Sequence, residues 1–117
     1  MNAHDVLPEG MRARSLSDRE IVLSYDDALR VLDLLVDSSW ALLGWEGWVR
    51  TRQGVGHHGD YQGAVSIDRK RGEEWNAYVQ RGAEFGCVTI KQAQQRWEED
   101  PKSADKELFF CLTAIGP

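Results

Sequence analysis

The stretch EIVLSYDDALRVLDLL, residues 20–35, changes from a strand pattern to a helix pattern and decides the fold class that the sequence predicts. The apolar run within residues 19–24 is typical of a short β-strand. Ser24 is placed to cap a following helix, since Asp26 and Asp27 occupy the first turn, where the helix dipole favours negative charge. One apolar face at helical spacing then follows, made of Ala28, Val31, Leu32, Leu35 and Val36.

The downstream boundary of this helix has two interpretations. Ser39, Trp40 and Leu43 continue the helical spacing, which predicts a helix that extends to Gly44 as its C-terminal stop. The alternative is a break at Ser38-Ser39. The choice matters because it fixes where the next strand begins.

Two runs of alternating residues, 44–52 and 61–68, predict a β-hairpin. The stretch GVGHHGDYQG, residues 54–63, is then the connection, because its four glycines supply the dihedrals that a turn needs. Trp45 and Trp48 fall on opposite faces of the first strand, so one tryptophan is expected on a polar face beside Glu46. The alternative is a strand that is buried on both faces.

The second half of the chain predicts one long helix at about 73–98, with two shorter helices as the alternative. Its apolar and small residues step by three or four: Trp75, Val79, Gly82, Gly86, Ile90, Ala93 and Trp97. The run ELFFCLTAI, residues 107–115, is typical of a central strand that is buried on both faces.

The resulting order, β-α-β-β-α-β, predicts a single α+β domain over residues 19–117. Two helices are expected to pack on a roughly four-stranded, mainly antiparallel sheet. The ferredoxin-like fold has the same order of elements, although order alone does not fix strand pairing. Residues 1–18 are polar and lack periodicity, which predicts a loose N-terminal arm.

Composition narrows the classes of partner. The 117 residues carry a net charge of −5, which argues against direct nucleic-acid binding and suits a basic protein partner. The first residues lack a signal-peptide pattern, and no apolar run reaches the length of a membrane span, so a cytoplasmic protein without membrane contact is expected. Cys87 and Cys111 are expected to be buried free thiols, although a disulfide between them stays open.

The residues that could carry chemistry do not form a catalytic or metal-binding pattern. His57, His58 and Asp60 lack the three or four ligands at suitable spacing that zinc requires, so no metal, cofactor or catalytic residue is expected. Asp33 and Asp37 are four residues apart and share a helix face. Exposed loops and an exposed tryptophan near carboxylates favour partner binding instead. The predicted partner-binding residues are Asp33, Asp37, Glu46, Trp48, His57, His58 and Asp60.

Five features together carry a resemblance: a single acidic domain, the absence of a catalytic signature, the opening EIVLSYDDALRVLDLL, a Trp-rich hairpin and the closing strand ELFFCLTAI. In these features the chain resembles small bacterial immunity proteins of the polymorphic toxin and contact-dependent inhibition type. The resemblance implies a cytoplasmic protein that binds and neutralises a cognate toxin domain. Two alternatives stay open: a small enzyme or ligand-binding domain that uses the His57-His58-Asp60 loop, and a homo-oligomeric interaction module, such as a homodimer.

Overall fold

The computed structural model describes residues 2–62 and 67–117, and side chains throughout these ranges except at 57–60 and 62. It contains an antiparallel sheet of four strands with helices, which confirms the predicted α+β class. A 3-10 turn at Ala3–Val6 comes first, and a second one at Pro101–Ser103 precedes the last strand. In chain order the longer elements are α1 (Glu9–Arg14), β1 (Ile21–Leu23), α2 (Tyr25–Asp37), β2 (Ala41–Thr51), β3 (Gly54–Gln62), α3 (Trp75–Glu99) and β4 (Glu107–Ile115).

The closing strand β4 lies inside the sheet, as its apolar run predicts. The strand order is β1-β4-β2-β3, and each of the three pairings is antiparallel. All residues from Leu108 to Leu112 are buried, so β4 is covered on both faces. A strand in this position needs apolar side chains at consecutive positions, because neither face meets water.

Helix α2 ends at Asp37, so the predicted extension to Gly44 is wrong and the break at Ser38-Ser39 is correct. Ser39 adopts φ +60°, in the left-handed region. The backbone N–H of Ser39 donates to the carbonyl of Val36 (3.0 Å), and that of Trp40 donates to the carbonyl of Leu35 (2.8 Å). These two bonds form a Schellman motif, which closes a helix without glycine. The apolar run from Trp40 onward then continues into β2.

The hairpin has a different turn from the one predicted. The chain reverses at residues 52–53, and Gly54 adopts φ +131°, a conformation that favours glycine. Residues 54–62 of the stretch GVGHHGDYQG therefore form strand β3 itself rather than the connection. Of the predicted strand 61–68, Tyr61 and Gln62 belong to β3, and residues 67–68 belong to no strand. Residues 63–66 lie outside the described residues, and beyond them the N–H of Ile67 donates to the carbonyl of Leu43 (2.8 Å).

Helices α2 and α3 cover one face of the sheet. Trp45 points into this core, where its Nε1–H donates to Thr89 Oγ1 of α3 (2.8 Å) and its ring meets that of Phe110. Helix α3 is continuous, as its spacing predicts, and its inward glycines allow close approach. A Cβ at Gly82 would lie 2.8 Å from the carbonyl oxygen of Leu42. Six residues from the predicted apolar helix faces and the closing strand are all buried: Leu32, Leu35, Val79, Ile90, Phe109 and Leu112.

The N-terminal segment is packed, contrary to the prediction of a loose arm. Leu7 is 1% exposed and belongs, with Met11, to the main core. The guanidinium of Arg14 donates two hydrogen bonds, of 2.7 and 3.1 Å, to the buried carboxylate of Asp27 on α2. The segment also covers the outer edge of β1, because the N–H of Leu16 donates to a carbonyl of that strand (3.0 Å). It therefore belongs to the domain.

Candidate binding face

The sheet has a second face, opposite the helices, which we call the outer face. Successive residues of a strand point to opposite sides of the sheet. On β2 and β4, the residues that alternate with the helix-facing ones therefore point to the outer face. Cross-strand register places them in three pairs, Arg50 with Glu107, Trp48 with Phe109, and Glu46 with Cys111. An apolar cluster separate from the main core forms the base of this face; it contains Val22, Phe109 and Cys111, with Leu16 and Trp48 packed against them.

One end of the outer face is electrically balanced. The Arg50 guanidinium donates hydrogen bonds of 2.9–3.1 Å to both carboxylate oxygens of Glu107. The same guanidinium lies 4.8 Å from the centre of the Phe109 ring, at cation–π distance. Both charges are compensated by each other, so this end offers little net attraction to a charged ligand.

The other end is acidic and surrounds a thiol. Cys111 lies on central strand β4, and its Sγ–H donates to the Glu20 carboxylate (3.2 Å). Glu46, on the neighbouring strand, accepts a hydrogen bond of 3.1 Å from Trp48 Nε1–H. Burial, followed by the hydrogen bond to Glu20 and the negative charges of Glu20 and Glu46, raises the pKa of the Cys111 thiol well above its usual range. The thiol therefore stays protonated and is a poor nucleophile.

A groove runs between this acidic end and the N-terminal segment. Its volume is about 610 Å³, and its lining includes His4, Arg19, Glu20, Trp40, Glu46 and Cys111. We call it the His4 groove. His4 is 8% exposed, and its Nε2 has no hydrogen-bond partner among the described residues. His4 also lines a neighbouring groove that reaches Trp48, so the imidazole lies between the acidic end and the tryptophan.

The structure separates the seven predicted binding residues. Glu46 and Trp48 lie side by side on the outer face, and Trp48 is half-buried on the opposite side of β2 from the buried Trp45, as the alternation predicts. Asp33 and Asp37 are exposed on α2, where they line a groove against α3 together with Glu84. The helix layer and the sheet lie between the two groups, so one flat surface does not include both.

The two histidines and the nearby aspartate lie in strand β3. His57 is the Cα partner of Trp48, and His58 is the Cα partner of Gly47. Their side chains and that of Asp60 lie outside the described residues. Within the part of the chain that the structure describes, no group of three His, Cys, Asp or Glu residues is arranged to hold a metal ion.

The sequence did not predict that His4 and Glu20 lie near Cys111, and it predicted Cys111 only as a buried free thiol. The sequence predicts His4 in an arm. Helix α1, which follows it, has six residues, and these are too few to show a helical period. Glu20 precedes β1 by one residue, so its position beside Cys111 follows from the β1–β4 register. Both cysteines are free, as expected, although Cys87 is only half-buried.

Comparisons with known proteins add no relative: no family model, no curated protein and no solved structure matches this chain. Among the described residues, no helix combines the length and apolar character that crossing a bilayer requires.

Proposed function

We propose that this chain is a cytoplasmic immunity protein that binds a cognate bacterial toxin domain through the outer face and thereby neutralises it. The observation that carries the proposal is the geometry of Trp48. Its indole N–H is held by Glu46, its ring packs on the apolar cluster around Phe109, and the residue remains partly exposed. A fixed, amphipathic tryptophan beside a charged rim is the arrangement that protein-binding hot spots use.

The charge of the chain supports the same proposal. A net charge of −5 favours encounter with a basic protein surface, and the carboxylates of Glu20 and Glu46 lie at the end of the outer face near Trp48. Many toxin domains that act on nucleic acids have basic surfaces, because they bind phosphates. The buried thiol of Cys111, whose pKa is raised by burial and nearby carboxylates, is a poor nucleophile, which is consistent with a binding role for this face.

The experiment starts with a tagged chain expressed in its native host, from which bound proteins are captured and identified by mass spectrometry. Each captured protein is then expressed alone in a bacterium that lacks this chain. We expect one of them to stop growth, and co-expression of the wild-type chain to restore it. A chain that forms a stable homodimer and relieves no captured toxin would refute the proposal and favour the homo-oligomeric module.

Variants then locate the surface. Trp48→Ala should raise the Kd for the toxin roughly thirtyfold or more, as expected for a hot spot worth about 2 kcal/mol. Glu46→Gln keeps an acceptor for the Trp48 indole but removes the charge, so it should mainly slow association and weaken the salt dependence. The matched control is the double variant Asp33→Asn, Asp37→Asn on the helix layer. Loss of binding in that control, with binding retained in Trp48→Ala, would move the interface away from the outer face.

A further inference from the structure

We propose that strand β3 is a dimerisation edge, at which a second copy of this chain adds its own β3 in antiparallel orientation. The sheet order β1-β4-β2-β3 leaves β3 at one edge, paired with β2 on one side. Within the part of the chain that the structure describes, no strand pairs with its other side. Such a strand presents a row of N–H and C=O groups that another strand can bind. The proposal goes beyond toxin binding, because it concerns an edge of the sheet and not the outer face.

The opposite edge of the sheet is closed by the chain itself. The N–H of Val22, in the middle of β1, donates to Ser15 Oγ (3.1 Å), and its carbonyl accepts from the N–H of Leu16 (3.0 Å). The N-terminal segment thus takes the place of a further strand. Among the described residues, no comparable cover lies along β3. Residues 54–58 also contain no proline and no lysine, the residues that commonly protect an exposed edge.

The hairpin geometry identifies which backbone groups face the open edge. The chain reverses over residues 52–53, so Thr51 and Gly54 form the hydrogen-bonded pair that closes the turn. Hydrogen-bonded and non-hydrogen-bonded pairs alternate along an antiparallel ladder. Every second residue of β3 therefore directs its backbone groups toward β2, and Val55 and His57 direct theirs away from it. These two residues supply the donors and acceptors of the open edge.

Gly56 lies between them and has no reason within the described chain to be glycine. A Cβ at this position would have no heavy atom within 4 Å, and its φ lies outside the left-handed region. Glycine weakens a strand and often marks a place where another backbone approaches closely. A dimer centred on Gly56 supplies that backbone. Each Val55 then lies opposite His57 of the second copy, and the two pairs exchange four hydrogen bonds.

Charge favours a second copy as the occupant of this edge. Two chains of net charge −5 repel each other, yet residues 54–58 contain no Asp, Glu, Lys or Arg. Pairing over these residues therefore brings no like charges into register. A basic partner gains no electrostatic attraction from so neutral a strand, whereas a two-fold dimer closes both open edges at once. The register shift opposite Glu46 and Gly47 ends the regular pairing beyond residue 58, so the interface is short.

The dimer leaves the outer face accessible. Residues opposite each other in an antiparallel pair lie on the same face of the sheet, so the outer faces of both copies lie on one side. The two β2 strands, each with its Trp48, are three strand spacings apart, about 14 Å. Toxin binding through the outer face is therefore compatible with dimerisation through β3.

The first test is sedimentation velocity of the full chain over a range of concentrations. We expect a monomer–dimer equilibrium with a Kd on the order of 10–100 µM, because so short a strand pair belongs with the small, weak interfaces. Val55→Pro removes an N–H that β2 does not use, so it should keep the hairpin and raise the dimer Kd at least about tenfold. Val55→Thr keeps the N–H and the β-branched shape and is the matched control, with a change below about threefold. Circular dichroism checks that each variant folds.

Cross-linking tests the register and does not depend on the proline variant. Residue 56 lies opposite its own copy at a Cα–Cα distance of about 4.5 Å, which a disulfide can span. In a Cys87→Ser background, oxidised glutathione should therefore convert Gly56→Cys to a covalent dimer. Because a side chain at position 56 meets no atom within 4 Å, the variant should fold. Val88→Cys, on an exposed position of α3, is the matched control and should cross-link at least about tenfold more slowly.

Three outcomes would overturn the proposal. The first is a chain that stays monomeric up to about 500 µM, well above the expected Kd, and gives no disulfide through Gly56→Cys. The second is equal cross-linking of Gly56→Cys and Val88→Cys, which would place the contact elsewhere. The third is a monomer that loses a captured toxin in Val55→Pro alone, which would assign the edge to a strand of the toxin. Toxin neutralisation by a chain that does not dimerise would leave the proposed function intact.

Discussion

The contact between α3 and strand β2 predicts that two neighbouring glycines respond differently to the same substitution. An alanine methyl at position 82 would lie 2.8 Å from the backbone oxygen of Leu42, whereas at position 86 it would lie 2.6 Å from Leu42 Cδ2. The Leu42 backbone is held by its pairing with Ala114 of central strand β4, so its oxygen has less freedom to move than a side-chain end. A leucine methyl can rotate, although Leu42 is buried and Leu32 Cδ2 is also close to position 86, at 3.1 Å.

The expected free energies follow from two opposing effects. Replacing glycine by alanine inside a helix is favourable by about 1 kcal/mol, and overpacking a core costs about 1–3 kcal/mol. Gly82→Ala, which meets backbone, should therefore lower the free energy of unfolding by about 2 kcal/mol. Gly86→Ala, which meets side-chain ends, should lower it by about 1 kcal/mol. Both values are large fractions of the 5–15 kcal/mol stability typical of a domain.

A double-mutant cycle separates the two mechanisms, measured by urea unfolding followed by tryptophan fluorescence. Leu42→Val removes the Cδ atoms and should itself cost about 1 kcal/mol. In that background Gly86→Ala should become nearly neutral, while Gly82→Ala should keep its full cost, because the Leu42 oxygen is unchanged. Glu84→Ala, on the exposed side of the same helix turn, controls for helix propensity. Equal coupling of both glycines to Leu42 would refute the distinction between backbone and side-chain contact.

Three further predictions concern other parts of the chain. Leu7→Ala should lower the free energy of unfolding by about 2–5 kcal/mol, because the side chain is fully buried; a change below about 0.5 kcal/mol in a thermal or urea melt would restore the loose arm. The Arg81 guanidinium lowers the pKa of Glu73 to about 2, so this carboxylate stabilises the fold above about pH 4.5 and its contribution is lost as the pH falls toward 2. Acid unfolding of Glu73→Gln should therefore depend less on pH in that window than wild type, and an unchanged slope would contradict the ion pair. Iodoacetamide at pH 8 should label Cys87 faster than Cys111, whose thiol is buried and has a raised pKa; peptide mass spectrometry measures the order, and the reverse order would be inconsistent with this structure.

Hydrophobic patterns that extend over many residues predicted their helix or strand correctly, whereas short patterns did not. The period of α3 extends over seven turns, and β4 is nearly continuously apolar, so their types and positions follow from the sequence. The end of α2 depends on a Schellman motif with serine in the left-handed conformation, which glycine normally marks. Trp40 and Leu43 fit helical spacing as well as the strand they occupy, so periodicity alone could not place the boundary.

The glycine-rich stretch of β3 was wrongly predicted as a turn for a related reason. Glycine is frequent both in turns and in strands where backbone approaches closely, and Gly54 alone marks the reversal here. The alternation of β2 was correctly interpreted, so Glu46 and Trp48 could be found on one face without the structure. The groove that Glu46 borders could not be predicted, because it forms where the N-terminal segment meets strands β1 and β4. Contacts between segments so distant in sequence have no local signal.

The Cys111 thiol on the outer face lacks the activation that a nucleophile needs. A catalytic cysteine needs a lowered thiol pKa or a base that removes its proton. Here burial and two carboxylates act in the opposite direction, and the thiol serves as a donor that orients Glu20. Trp48 orients Glu46 in the same way. Both carboxylates are therefore held in place by donors of the outer face itself. This fixation reduces the side-chain entropy that Glu20 and Glu46 themselves would lose if a partner bound to this face.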